Sequence, residues 1–185
     1  MSDKARMKHT IISSLSWKFL ERGVTQGIQF VISIILARLL SPSDYGVLAL
    51  ILIFIAIANV FVQSGLNSSL IQKKVVDSVD ISSVFYISLG IAGIFYCVLF
   101  ASAPIIARFY ENELLIPVIR VLALTLFPGA FNSIQNAIVS RTMRFKKLFF
   151  GSIGAGMLSG LVGIILAYKG LGVWALVFQQ LSSQV

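Results

Sequence analysis

Four stretches of this chain, residues 45–62, 84–107, 114–131 and 148–168, carry at most one charged residue each. The cations are gathered between them. About 20 mostly apolar residues are enough for a helix to cross the hydrocarbon of a bilayer. The chain has 185 residues, of which 57% are hydrophobic and 12% charged. A soluble domain carries roughly 25% charged residues, so this apolar fraction is not a globular core. The expected class is an all-α, polytopic membrane protein of about six transmembrane helices. The expected segments are 14–40, 43–64, 81–107, 114–139, 147–168 and 172–185. The last reads as truncated, because a helix of that length reaches only about 21 Å.

The formal net charge of +8 raises nucleic acid as a partner. The placement of the cations argues for a membrane instead. With the N-terminus in the cytoplasm, Lys4, Arg6, Lys8, Lys73, Lys74, Arg141, Arg144, Lys146 and Lys147 fall inside. Only Arg38, Arg108 and Lys169 fall outside, with Glu111 and Glu113 beside them. Nine against three gives an N-terminus-in orientation by the positive-inside rule. The basic start runs into a full-length span without a small-residue cleavage pattern, so it reads as a retained first helix. The single cysteine, Cys97, lies inside the third span and excludes both a disulfide framework and a cysteine metal cluster. The single histidine, His9, sits in the basic N-terminal segment and reads as solvated. No nucleophile–base arrangement, phosphate loop or metal-ligand spacing is present. The expectation is therefore no enzyme, no catalytic residue, no metal and no cofactor.

Local chemistry supports the breaks. In LSPSDYG, Ser41 suits the cap of the second helix, Pro42 its first position, and Asp44 the third position after the cap. Pro128 and Gly129 fall within the fourth span and predict a kink. Ser152, Gly156 and Gly160 recur every fourth residue, with Gly163 nearby, and predict close helix packing on the fifth span.

The first span carries a polar stripe. At 100° per residue, Lys18, Arg22, Gln26, Gln29 and Ser33 fall at about 0°, 40°, 80°, 20° and 60°. Glu21 and Thr25 widen the arc on one side. Gly23 and Gly27 lie beyond it and are expected to admit a neighbouring helix, while Val24, Ile28 and Val31 are expected to meet lipid. Counting about 20 residues back from Leu40 puts the inner boundary near Glu21, with Trp17 in the interfacial belt. Lys18, Glu21 and Arg22 then sit at the inner mouth. Snorkelling to the surface and mutual pairing are the plain readings of those three. They do not account for Gln26, Gln29 and Ser33, which continue deeper on the same face. A water-filled cleft does. Matching groups are Asn59 and Gln63 on the second helix and Asn132, Gln135 and Asn136 on the fourth, although interhelical hydrogen bonding accounts for many such amides. Arg120 is expected to pair with Glu111 or Glu113, or to snorkel. A cationic mouth with amides and hydroxyls behind it suits an anionic head carrying many hydroxyls, such as a sugar-bearing lipid diphosphate.

Several stretches resemble a known family. ISIILARLLSPSDYGVLAL resembles the end of the first helix and start of the second in bacterial polysaccharide flippases. GLNSSLIQKK resembles their next connection, SRTMRFKKL the basic loop before the fifth helix, and LGVWALV the start of the sixth. In order, these resemble the Wzx-type O-antigen and exopolysaccharide flippases, whose superfamily includes the multidrug and toxin extrusion transporters. The resemblance implies that residues 1–185 form an N-terminal six-helix lobe of a two-lobe transporter working by alternating access in the bacterial inner membrane. The implied cargo is an undecaprenyl-diphosphate-linked oligosaccharide, with the polysaccharide polymerase and chain-length machinery as further partners. Arg22 and Lys18 match the basic positions implied to contact the diphosphate. Gln26, Gln29, Asn59, Gln63, Asn132 and Gln135 are the candidate sugar contacts, and Glu21 the candidate for ion coupling. Two other readings stay open: a cation-coupled drug antiporter lobe, and a non-transporting scaffold for polysaccharide assembly.

Overall fold

The computed structural model describes the backbone of residues 3–63, 78–142 and 145–184, and side chains within 16–62, 81–139 and 149–184 apart from Trp17. The His9 side chain, the 64–77 connection with Lys73 and Lys74, and the side chains of Gln63 and the 141–147 basic cluster lie outside the described residues. Helices dominate throughout. They are α1 (Asp3–Leu39), α2 (Pro42–Gln63), α3 (Ser78–Phe109), α4 (Leu115–Leu122), α5 (Leu126–Thr142), α6 (Phe145–Tyr168) and α7 (Val173–Ser183). Five segments are long and apolar enough to cross a membrane: Lys18–Leu39, Pro42–Val62, Ile81–Phe109, Leu115–Val139 and Phe149–Tyr168. These agree with the first five expected spans. With eleven residues, α7 extends only about 17 Å.

The packing is that of a membrane protein. Alanines and small hydroxyl residues, including Ala92, Ala103, Ala123, Ala130, Ser133 and Ser159, share the interior with Leu, Ile and Val. Large aliphatic side chains such as Ile53, Ile57, Ile94, Val98, Ile105, Leu158 and Ile165 point outward. In water this surface would aggregate; against acyl chains it is at no disadvantage, while small interior residues let helix backbones approach. Buried hydroxyls bond back to their own helices: Thr125 donates to the Leu122 carbonyl at 2.6 Å, and Ser159 to that of Gly156 at 3.0 Å.

Each break has a local cause. Ser41 caps α2, its hydroxyl and backbone N–H both donating to the Asp44 carboxylate, at 2.7 Å and 3.1 Å. The Asp44 N–H donates in return to Ser41 Oγ at 3.3 Å. This reciprocal box confirms the capping role read from the spacing. Pro128 has no N–H for the carbonyl four residues back, Leu124, and a 3₁₀ turn at Ala123–Thr125 separates α4 from α5 there. α6 ends in a Schellman turn: Gly170, at φ +73°, donates to Ala167 and Leu171 donates to Leu166.

α3 ends in the same turn, with Glu111 donating to Arg108 and Asn112 to Ala107. Its left-handed position is held by Glu111, at φ +51°. A side chain there costs roughly 1 kcal/mol that glycine avoids. Glu111→Gly is therefore expected to raise the stability of detergent-solubilised protein by about 1 kcal/mol; a lowered thermal midpoint would contradict this account of the turn.

The helices gather around two cores. The larger joins α2, α3, α4, α5 and the start of α7 through residues such as Ile51, Leu99, Val118, Leu122 and Val177. The smaller joins α1, α6 and α7 through Ile32, Leu36, Ala167 and Leu176. α1 packs chiefly on α6, and α7 touches both groups. The glycines of α6 make the first contact close. A Cβ on Gly160 would run into the Ile32 side chain, with Cγ1 at 2.7 Å, and one on Gly156 would meet Ile28 at 3.8 Å. Close packing along the α6 stripe is thus as expected, whereas Ile28 packs against the smaller core and does not face lipid. Gly23 and Gly27 face open space among the described residues, so the neighbour expected there is absent from this bundle.

Candidate functional site

A cavity of about 610 Å³ is lined by residues near the ends of α1, α5 and α6 that lead into the basic segments. Pockets of roughly 300–1,000 Å³ suit small organic ligands. α1 contributes Glu21, Thr25 and Gln29, spaced one turn apart on the face next to α6. α2 contributes Asn59. α5 contributes Asn132, Ser133, Gln135 and Asn136, and α6 contributes Gly151, Ser152, Ala155 and Gly156. Ser183 and Gln184 close one side.

The described lining mixes apolar surface with polar groups, and those polar groups are carboxamides and hydroxyls apart from Glu21. Carboxamides and hydroxyls both donate and accept, so they match ligand hydroxyls in either sense. Glu21 is the one ionisable residue among the described lining residues. Its Oε1 accepts a hydrogen bond from Ser152 Oγ at 3.2 Å, which ties α1 to α6 at the wall. Asn132 donates its amide to the Gln184 carbonyl and ties α5 to the end of α7. Thr25 Oγ1 is buried and has no hydrogen-bond partner among the described residues. Gly129 lies on the lining where a Cβ would stand 3.3 Å from Asn59 Oδ1, so its bareness lets the Asn59 amide reach the cavity. Among the described residues no group of three or more His, Cys, Asp or Glu side chains could hold a metal.

The polar stripe of α1 is divided by this geometry. Glu21 and Gln29 line the cavity with Thr25. Lys18 is half-buried on the face of the lining residues, about one turn nearer the N-terminus than Glu21, and Arg22 and Gln26 are exposed on the far flank of the stripe; none of the three is among the described lining residues. Ser33, also exposed, donates to the Phe30 carbonyl at 2.8 Å. Asn59, Asn132 and Gln135 come together across the cavity, while the Gln63 side chain lies outside the described residues. Ser152 and Gly156, read from the sequence as packing residues, serve the cavity as well, because small residues on α6 leave it room. Their spacing showed only a close approach; a polar residue within the stripe, Ser152, was the available signal of a second role. Arg120 lies away from this site. Its guanidinium stands 4.1 Å from the centre of the Phe100 ring, a cation–π contact in place of the expected pairing with Glu111 or Glu113.

Comparison with known proteins adds an independent line. The family described as polysaccharide biosynthesis protein matches residues 35–185. The succinoglycan biosynthesis transport protein ExoT of Rhizobium meliloti is 27% identical over 170 residues, 92% of this chain and 34% of its own length. The lipopolysaccharide biosynthesis protein WzxC of Escherichia coli is 28% identical over 149 residues, 80% of this chain and 29% of its own. The teichuronic acid biosynthesis protein TuaB of Bacillus subtilis is 23% identical over 149 residues, 80% of this chain and 31% of its own. The chain thus spans about a third of the length of these relatives. No solved structure matches it significantly.

Proposed function

The chain belongs to the polysaccharide biosynthesis protein family, and from that premise we propose that it forms the N-terminal lobe of a membrane transporter for a lipid-linked oligosaccharide. The observation that supports this most directly is the amide- and hydroxyl-lined cavity inside an apolar helical bundle. Such groups can exchange hydrogen bonds with sugar hydroxyls as a glycan moves, without holding it by a fixed charge. In this reading the carrier is an undecaprenyl diphosphate, with Lys18 and Arg22 meeting the diphosphate at the mouth and Gln26 on the same flank. Asn59, Gln63, Gln29, Asn132 and Gln135 meet sugars. The N-terminus is cytoplasmic, the membrane is the bacterial inner membrane, and the polymerase and chain-length machinery receive the product. Two six-helix lobes alternate access to the two faces, as in multidrug and toxin extrusion transporters, and no catalytic residue is required.

Glu21 favours one second reading. A carboxylate on a cavity wall is where a coupling cation would be carried in a cation-driven antiporter lobe.

A wet cavity is the shared premise and can be tested directly. In a Cys97→Ser background, cysteine at Gln29 is expected to react with a charged, membrane-impermeant thiol reagent applied from the mouth side. Cysteine at Val31, exposed on the apolar side of α1, is expected to stay unlabelled. Equal labelling at both positions, or labelling at Val31 alone, would remove the cavity from the mechanism.

A further inference from the structure

We infer that Arg120, with the aromatic rings beside it, forms a second site that takes the phosphate of a lipid arriving from the bilayer where α3 meets α4. Such a site lies outside the transport reading and does not rest on it. Arg120 is at the end of the bundle away from the cavity, about 18 Å along the span from Asn132 on the cavity wall. It falls inside the Leu115–Val139 span, where a charge is costly and usually has a partner. Its guanidinium stands 4.1 Å from the centre of the Phe100 ring. Its Nε is buried and has no hydrogen-bond partner among the described residues. A ring face offsets part of the charge but offers no lone pair to the N–H donors.

The depth suits a lipid head. Phe100 is about 13 Å inside the end of α3. The spanning part of α3, Ile81–Phe109, is about 43 Å long against a hydrocarbon thickness of about 30 Å. The guanidinium therefore sits about 7 Å below the hydrocarbon edge. Snorkelling would turn the side chain to the surface, whereas the contact with Phe100 keeps it at this depth. Local thinning of the bilayer brings a lipid phosphate within its reach. The surroundings match the rest of a lipid. Phe100 is 41% exposed, and Leu124, one turn along from Arg120, is 42% exposed. Tyr96 packs on Phe100 with ring centres 5.9 Å apart, and Phe127 on Tyr96 at 5.6 Å. These groups run from Arg120 toward mid-membrane and give the cation an apolar wall beneath it. A guanidinium grips phosphate oxygens in pairs, while an acyl or prenyl chain lies along the wall. Bilayer phospholipid and a lipid diphosphate carrier share this chemistry.

The test titrates the purified full chain, stripped of lipid in detergent, and reads bound lipid by native mass spectrometry. The probes are phosphatidylglycerol, undecaprenyl diphosphate and the phosphate-free diglucosyl diacylglycerol. The two phosphate lipids are expected to bind about tenfold or more tightly than the glycolipid, and Arg120→Met to erase that margin, as loss of a charge-assisted pair predicts. Arg120→Gln serves if the Met variant is not recovered. Arg108→Met removes an exposed cation at the same end of the bundle and should leave binding within about twofold. Whichever phosphate lipid binds more tightly names the source, bilayer or carrier, and either upholds the site. Glycolipid bound as tightly as the phosphate lipids overturns it, as would follow if a carboxylate of another chain filled the place. Unchanged binding in the neutralised variant, or an equal loss in Arg108→Met, overturns it too. Export is not the readout, so the transport reading stands or falls separately.

Discussion

Gly160→Val is expected to cost about 3 kcal/mol of bundle stability and to loosen α1 from α6. The cause is steric. A Cβ at Gly160 falls inside the Ile32 side chain, which is itself 6% exposed, and the two further methyls of valine need more room than rotation of Ile32 provides. Gly160→Ala should be milder, at about 1 kcal/mol, since the nearest atom is the tip of a side chain that can rotate. The decisive comparison is a cycle with Ile32→Ala. Alone, that substitution leaves a hole and costs about 2–5 kcal/mol. Combined with Gly160→Val it should cost less than the two penalties added, by about 2 kcal/mol, because each change fills what the other vacates. Thermal or denaturant unfolding of the four purified proteins in detergent reads the result. Additive penalties would mean that Gly160 and Ile32 are not in contact, and the α1–α6 pairing that shapes the cavity wall would be lost.

Asn132→Leu is expected to lower polysaccharide export by about tenfold or more while the protein still reaches the membrane. Two effects combine. The part-buried hydrogen bond to the Gln184 carbonyl, which ties α5 to the end of α7, is lost at a cost of about 1 kcal/mol. An isosteric apolar group also replaces a carboxamide on the cavity wall, where a sugar hydroxyl would find no partner. Asn132→Gln keeps the amide on a longer stem and should retain a measurable share of export. Surface polymer normalised to membrane-inserted protein is the measurement. Full export by the Leu variant would place the cargo elsewhere, even if the cavity is wet.

Much of the fold was legible because its causes are local. A run such as 84–107 without charge can only be stable out of water. The Ser41–Asp44 cap and the Pro128 break act within four residues of chain, and both stand where the spacing put them. The candidate site was legible in part. Glu21, Gln29, Asn59, Asn132 and Gln135 share one cavity, yet Arg22 and Gln26, on the same helical stripe, lie off its lining. Periodicity says that these α1 side chains share an arc of about 140°, but not which edge of the arc a neighbour covers.

The sequence by itself determined that the chain is helical, where it enters and leaves an apolar medium, and which residues on each helix are polar. Those follow from transfer energies and backbone chemistry that each segment carries alone. Only the tertiary structure decided that α1 leans on α6, through Ile32 against Gly160, with more than a hundred residues of chain between them. That contact sets the rotation of α1 and turns Glu21, Thr25 and Gln29 inward while Arg22 turns away. It also left Gly23 and Gly27 bare and gave Ser152 a place on a wall. Helix rotation is fixed by the fit between side chains distant in sequence, and no single segment contains that information.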